Sequence, residues 1–117
     1  MHFLVRLLIN AAALWVAAHT VPGISFSGPG VQLLLVALVF GVLNAGVRPL
    51  LKILTFPLFI ITLGLFTFVI NAFMLLLTSG IAHRLDLGFH VAGFKAAFLG
   101  SLLISIVSFL LSRFLGR

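Results

Sequence analysis

The sequence contains no cysteine and no tyrosine, and Asp86 is its single acidic residue among 117. Without cysteine the chain has no disulfides, no thiolate metal sites and no cysteine nucleophile. One carboxylate leaves almost nothing for general acid–base chemistry, and no Walker loop, HExxH sequence or nucleophile triad is present. These absences predict that the protein is not an enzyme and that it has no cofactor and no metal site.

Apolar residues dominate instead. They make up 63% of the chain, charged residues make up 7%, and the mean hydropathy is +1.42. Soluble domains are about half apolar and about a quarter charged, so this chain has too little polar surface to cover a soluble core. Its Lys and Arg residues are scattered singly, which argues against a nucleic-acid patch and favours topology signals and contacts with anionic lipid headgroups. The composition predicts an integral membrane protein whose partner is the lipid bilayer.

The chain contains four apolar runs, at Phe3–Ala18, Val31–Val47, Leu58–Ala82 and Phe94–Leu115. A spanning helix needs about 20 residues, so the last two runs fit well and the first two need flanking residues or a thinned bilayer. The runs predict an all-α membrane protein with four transmembrane helices. As an alternative, the first run is a cleaved signal peptide with its cleavage site at Val16 and Ala18, although its charged n-region is weak and Asn10 interrupts it.

The connection between the second and third runs carries two cations and two prolines. Arg48 and Lys52 are four residues apart and therefore share a helical face, which suits contact with lipid headgroups. Pro49 and Pro57 each suit the first position of a helix. The sequence thus predicts a short interfacial elbow at 48–57, which joins a hairpin at about 1–47 to a hairpin at about 58–117 within a single membrane domain.

Positive charge is unequal on the two sides of a four-span model. The side with both termini holds five Lys and Arg residues, and the other side holds two, Arg84 and Lys95; the five are Arg6, Arg48, Lys52, Arg113 and Arg117. The positive-inside rule then predicts a multi-pass protein of the bacterial cytoplasmic membrane with both termini in the cytoplasm.

Two loops share the form Gly, apolar, x, apolar, x, Gly. They occupy Gly23–Gly28 and Gly88–Gly93, an offset of 65 residues. This repeat predicts two parallel helical hairpins, as found in other membrane folds, and the strand-like alternation predicts that the two loops pair. The alternative is that two glycine-rich loops are alike by chance.

Three predicted spans each carry an Asn-Ala pair, at Asn10, Asn44 and Asn71. An Asn amide in hydrocarbon is costly unless it is hydrogen-bonded, so each is predicted to face another helix. Asn10 and Asn44 have similar predicted depths, which would allow them to bond one another. Ser101 and Ser105 belong to a stripe of small polar residues on the fourth run, which favours close helix packing. The alternative is a polar path through the bundle or between subunits.

No charged residue lies in the middle of any predicted span, which argues against a pump or a secondary transporter. His19, His83 and His90 fall at run ends or in loops. This placement leaves a ligand role for them open.

The centre of the chain resembles a known family. The residues that carry the resemblance are Asn44-Ala45, Arg48-Pro49-Leu50, Leu54-Thr55-Phe56-Pro57, Thr62-Leu63-Gly64, Asn71-Ala72 and Gly88-Phe89-x-Val91-x-Gly93-Phe94. They are similar to the bacterial four-transmembrane proteins called phage holin family 4, or YvlD-like, with a departure at Phe56, where the family more often has Leu. The resemblance implies a membrane helical bundle without an active site.

Three functional hypotheses follow from these patterns. The first is a non-enzymatic, holin-like bundle of the inner membrane that mediates assembly by self-association. The second is a small accessory subunit of a larger membrane protein complex, and the third is an oligomeric, pore-forming holin.

Overall fold

The computed structural model describes residues 2–62 and 64–115. Arg117, counted above for orientation, lies outside them. Within the described residues the elements are α1 (His2–Thr20), β1 (Ile24–Phe26), α2 (Gly30–Leu54), α3 (Phe56–Ile61), α4 (Phe66–Arg84), β2 (Phe89–Val91) and α5 (Gly93–Leu115). In that part of the chain α1, α2, α4 and α5 are long and apolar enough to cross a membrane. The predicted all-α membrane architecture with four spans is confirmed.

The four long helices form a ring. Helix α1 packs against α2 and α5, and α4 packs against the same two helices. A rotation of about 180° about an axis along the bundle would exchange the α1–α2 hairpin with the α4–α5 hairpin and leave the contacts among the four long helices unchanged. This arrangement matches the two parallel hairpins that the repeat predicts.

The two glycine-flanked loops pair with one another. Strands β1 and β2 are antiparallel, with Ile24 opposite Val91 and Phe26 opposite Phe89. Beyond the strand ends, the N–H of Ser27 donates to the carbonyl oxygen of Gly88 at 2.9 Å. The predicted pairing of the two loops is therefore confirmed.

This small sheet closes one end of the bundle. Ile24, Phe89 and Val91 are buried, while the Ser25 and His90 side chains between them are exposed. The buried face reaches the helices directly, because a Cβ added at Gly100 of α5 would overlap the side chain of Ile24. We call this closed end of the molecule the sheet end.

The opposite end of the bundle is much less tightly packed. Going away from the sheet end, the last buried residues are Ile9 in α1, Phe40 in α2, Ile70 in α4 and Ile104 in α5. No described side chain in 3–8, 41–62, 64–69 or 105–114 is buried. These segments include the first turns of α1, the last half of α2, α3 and the last half of α5, and we call this region the open end.

Helix α2 is longer than the sequence predicts. It runs through Pro49 to Leu54, so the prediction that Pro49 begins a separate elbow helix is wrong. Proline lacks the N–H that would bond Ala45, but transmembrane helices tolerate such an interruption when nearby groups compensate. Residues 48–54 of the predicted elbow therefore belong to α2, and Pro57 belongs to α3. Thr55 connects the two helices, and its hydroxyl and N–H both donate to the carbonyl oxygen of Leu51.

The third apolar run, Leu58–Ala82, is not one helix. Pro57 lies in the first turn of α3, a position that suits proline, and α3 ends at Ile61. Gly64 has a φ of +90°, a left-handed conformation that glycine adopts without strain. Helix α4 then begins at Phe66, whose N–H donates to the hydroxyl oxygen of Thr62 at 3.1 Å. The predicted single span is thus divided into a short helix and a spanning helix.

Candidate functional site

A cleft of about 520 Å³ lies between α1 and α2 at the open end. It combines cationic and amide side chains with apolar walls and a floor of small residues. Its lining residues are Phe3, Arg6, Leu7, Asn10, Ala37, Leu38, Gly41, Val42, Asn44, Ala45 and Arg48.

The polar residues of the cleft form two matched pairs. Arg6 and Asn10 are four residues apart on α1, and Asn44 and Arg48 are four apart on α2, so each pair shares one helix face. Because α1 and α2 run in opposite directions, both Arg residues lie toward the open end of the cleft and both Asn residues lie deeper. The cleft therefore has two guanidinium groups toward its outer part and two amides below them.

Asn10 and Asn44 line the same cleft, as their similar predicted depth suggests. However, the amide oxygen of Asn44 is buried and has no hydrogen-bond partner among the described residues. The amide nitrogen of Asn10 instead lies beside Gly41, 3.4 Å from the position of an added Cβ. The direct Asn10–Asn44 hydrogen bond that the sequence suggests is not formed.

The described residues place no compensating negative charge in the cleft. The buried Nε of Arg48 has no hydrogen-bond partner among the described residues. Asp86, the single acidic residue of the chain, follows α4 at the sheet end. Lys52 is exposed one turn beyond Arg48 and does not line the cleft. The arrangement is an uncompensated cationic site, suited to an anion.

The other predicted polar residues lie outside this cleft. Asn71, on α4, has a buried amide oxygen without a partner in the described part of the chain. Ser101 is 3% exposed, and its hydroxyl donates to Phe98 within the same helix at 3.0 Å. Ser105, one turn further along the same stripe, is exposed. Any interhelical contact of Ser105 therefore lies outside the packed core of a single bundle.

Sequence reasoning missed Ser79 entirely. Its side chain is buried, and its hydroxyl oxygen accepts a hydrogen bond from the N–H of Val91 at 2.9 Å. The bond fastens β2 to α4. The neighbouring Thr78 shares a polar stripe with Asn71, but its hydroxyl donates to Met74 within its own helix. The part played by Ser79 depends on the return of the second loop to α4, which the sequence pattern does not show.

The three histidines whose ligand role was left open do not converge. His19, His83 and His90 are all exposed. Within the described residues no group of three His, Asp or Glu side chains is placed to hold a metal ion. The cleft between α1 and α2 is therefore the strongest candidate site in the described part of the chain.

The chain is similar to one family of membrane proteins and to two bacterial relatives. A family model described as mycobacterial 4 TMS phage holin, superfamily IV, matches residues 1–110. The uncharacterized protein SCO3922 of Streptomyces coelicolor is 53% identical over 119 aligned residues, covering 97% of this chain and 95% of that protein. The uncharacterized membrane protein YvlD of Bacillus subtilis is 35% identical over 109 residues, covering 93% of this chain and 88% of that protein. No solved structure matches the chain significantly.

Proposed function

Because the chain belongs to the superfamily IV of four-transmembrane phage holins, we propose that it is a non-enzymatic protein of the bacterial cytoplasmic membrane that assembles with further copies of itself through its open end. The non-enzymatic part rests on the chemistry of the side chains. A single acidic residue, Asp86, is exposed at the sheet end, far from the two Arg residues of the cleft. Ser25 lies opposite His90 on the exposed face of the two-stranded sheet, but in the described part of the chain no serine hydroxyl is hydrogen-bonded to a histidine.

The polar stripe of α5 is the observation that carries the assembly proposal. It is buried at Ser101 within the packed half of the bundle, whereas Ser105 and Ser112 are exposed and Ser108 is half-buried. Small hydroxylated residues let helix backbones approach closely and form interhelical hydrogen bonds, and lipid tails offer neither kind of contact. A helix of a second copy is therefore a better neighbour than lipid for the second half of this stripe.

The open end also leaves helix surfaces uncovered, on which a second copy can pack. From Gly41 to Leu54, half of α2 has no buried residue, and the described side chains of α5 include none after Ile104. A small bundle that is loosely packed at one end gains stability when neighbouring helices cover that end, since packing and interhelical hydrogen bonds drive helix association in membranes. This favours self-association over an isolated monomer.

The test of the proposal is the mass of the purified protein in a mild detergent. We expect an integer multiple of the 12.6 kDa chain, without a second protein species. A monomer at every protein concentration would contradict self-association. Stoichiometric co-purification of a different membrane protein would instead support the accessory-subunit hypothesis.

Orientation is part of the same proposal. The excess of Lys and Arg on the side of the termini supports cytoplasmic termini and an external sheet end. We expect a cysteine introduced at Ser27 to react with a membrane-impermeant maleimide in intact cells, and a cysteine at Arg117 to react only after the cells are opened. The native chain has no cysteine and is its own unlabelled control. Equal labelling of both positions in intact cells would contradict the four-span topology.

A further inference from the structure

We propose that the cleft between α1 and α2 binds the phosphate group of an anionic phospholipid. In this site Arg6 and Arg48 contact the phosphate oxygens, and the cleft's apolar wall accommodates the start of an acyl chain. The inference does not rest on self-association, because all the lining residues belong to one chain.

Charge is the first argument. Two guanidinium groups line one cleft, and the described part of the chain places no carboxylate there to balance them. Like charges in a site with apolar walls repel more strongly than they would in water, and a bound anion relieves that repulsion. Asp86 of a neighbouring copy in the same orientation does not reach the cleft, because it also lies at the opposite end of its bundle.

Hydrogen-bonding chemistry is the second argument. The guanidinium group presents several N–H donors in a planar fork that matches phosphate oxygens, and an Asn amide adds two further donors. The Nε of Arg48 is buried without a partner among the described residues, so a donor is available inside the cleft. Phosphate, with its several acceptor oxygens, uses donors from both helices at once.

Depth in the membrane is the third argument. Helix α2 has 25 residues, so it is about 37 Å long and exceeds the roughly 30 Å hydrocarbon core. Arg48 lies six residues before its end, or about 9 Å along the helix axis. With the excess length shared by the two ends, the Arg48 backbone lies roughly 5 Å inside the hydrocarbon, and its long side chain can extend from there to the boundary at which the phospholipid headgroups begin.

The cleft's walls distinguish a lipid from a free inorganic ion. Phe3, Leu38 and Val42 line the cleft and are exposed at its sides, so an apolar surface continues from the polar site toward the bilayer. A hydrated inorganic phosphate makes no use of that surface, whereas an acyl chain covers it. The small residues Gly41 and Ala45 leave the room that the bound group occupies.

The test compares lipids and variants by native mass spectrometry in a mild detergent. The protein is titrated separately with dioctanoyl phosphatidylglycerol, dioctanoyl phosphatidylcholine and inorganic phosphate. We expect phosphatidylglycerol to bind in preference to both of the others. Equal binding of phosphatidylcholine would overturn the assignment to an anionic lipid, and equally tight binding of inorganic phosphate would overturn the assignment to a lipid.

Matched variants locate the site. Arg48→Gln and Arg6→Gln are each expected to weaken phosphatidylglycerol binding by about tenfold to a hundredfold, as for loss of a charge-assisted hydrogen bond. Arg113→Gln removes the same charge at the open end but on α5, where the exposed Arg113 does not line the cleft, and it is expected to change binding less than threefold, because an exposed charge is screened by solvent. An equal loss in Arg113→Gln and Arg48→Gln would overturn the proposal, since it would show general surface attraction.

A further variant, which changes the shape of the cleft and not its charge, keeps the test independent of any folding defect in the charge variants. Gly41→Leu leaves both Arg residues in place and fills the cleft from its floor, where an added Cβ meets only Asn10 at an ordinary contact distance. We expect it to retain the helical content of the native protein and to lose most phosphatidylglycerol binding. Native-level binding by folded Gly41→Leu would show that the lipid sits elsewhere and would overturn the proposal.

Discussion

The substitution Gly88→Ala is expected to destabilise the protein by roughly 4 kcal/mol, because it combines backbone strain with steric overlap. Gly88 has a φ of +81°, which costs about 1–3 kcal/mol for a residue with a side chain. The added Cβ would also overlap the carbonyl group of Ser27 across the paired loops. Because the obstacle is backbone, a rotamer change cannot relieve the overlap, and the pairing at the sheet end must shift.

Thermal unfolding in mild detergent, followed by circular dichroism, measures this effect. The matched control is Gly46→Ala, since a Cβ at that exposed position of α2 meets nothing within 4 Å. Alanine favours a helix over glycine by about 1 kcal/mol, so the control is expected to melt at or above the native temperature. A Gly88→Ala protein with the native melting temperature would show that the loops at 23–28 and 88–93 do not pair as described.

Expression of this protein alone is expected to leave membrane potential and culture density unchanged. A lytic lesion or a conducting pore needs a continuous polar wall through the membrane. At the sheet end the described core is closed by large apolar side chains such as Leu14, Met74 and Phe89. Its buried hydroxyl groups are engaged with backbone atoms, which leaves no row of free polar groups in the described core.

Charge leads to the same expectation. The cations of the open end lie near the ends of their helices, and moving them to the middle of the bilayer costs several kcal/mol each, on the order of 2.5–3.5. The measurement is induction in a bacterial host with a potential-sensitive dye, beside an unrelated four-helix membrane protein expressed at the same level. Prompt depolarisation and lysis at a set time, with the control harmless, would establish the pore-forming hypothesis in place of a non-lytic assembly.

Much of the fold is predictable from patterns that are visible along the sequence. The four apolar runs mark the spans, and the Gly, apolar, x, apolar, x, Gly repeat predicts a pairing that the register of Ile24 with Val91 confirms. The continuation of α2 through Pro49 is not predictable from proline preferences, which mainly describe helices in water. The division between α3 and α4 depends on the turn at Thr62 and Gly64, which hydropathy does not detect.

The candidate site is predictable only in part. The spacings of Arg6 to Asn10 and of Asn44 to Arg48 are visible in the sequence and indicate similar depths. What the sequence does not give is how far apart the helices lie at each depth. The cleft exists because the bundle packs tightly at the sheet end and opens at the other, which depends on the contacts between helices and not on the composition of any one helix. The roles proposed for Asn71 and Ser105 remain predictions.

Disulfide crosslinking in native membranes tests the central claim most directly, namely that the open end receives a second copy. The chain has no cysteine, so Ser105→Cys introduces one thiol on the polar stripe, and Leu110→Cys introduces one on an exposed face about 140° away. We expect a mild oxidant to convert Ser105→Cys into a species of twice 12.6 kDa, while Leu110→Cys stays largely uncrosslinked. No crosslinking of Ser105→Cys, or equal crosslinking of both variants, would contradict assembly through the open end.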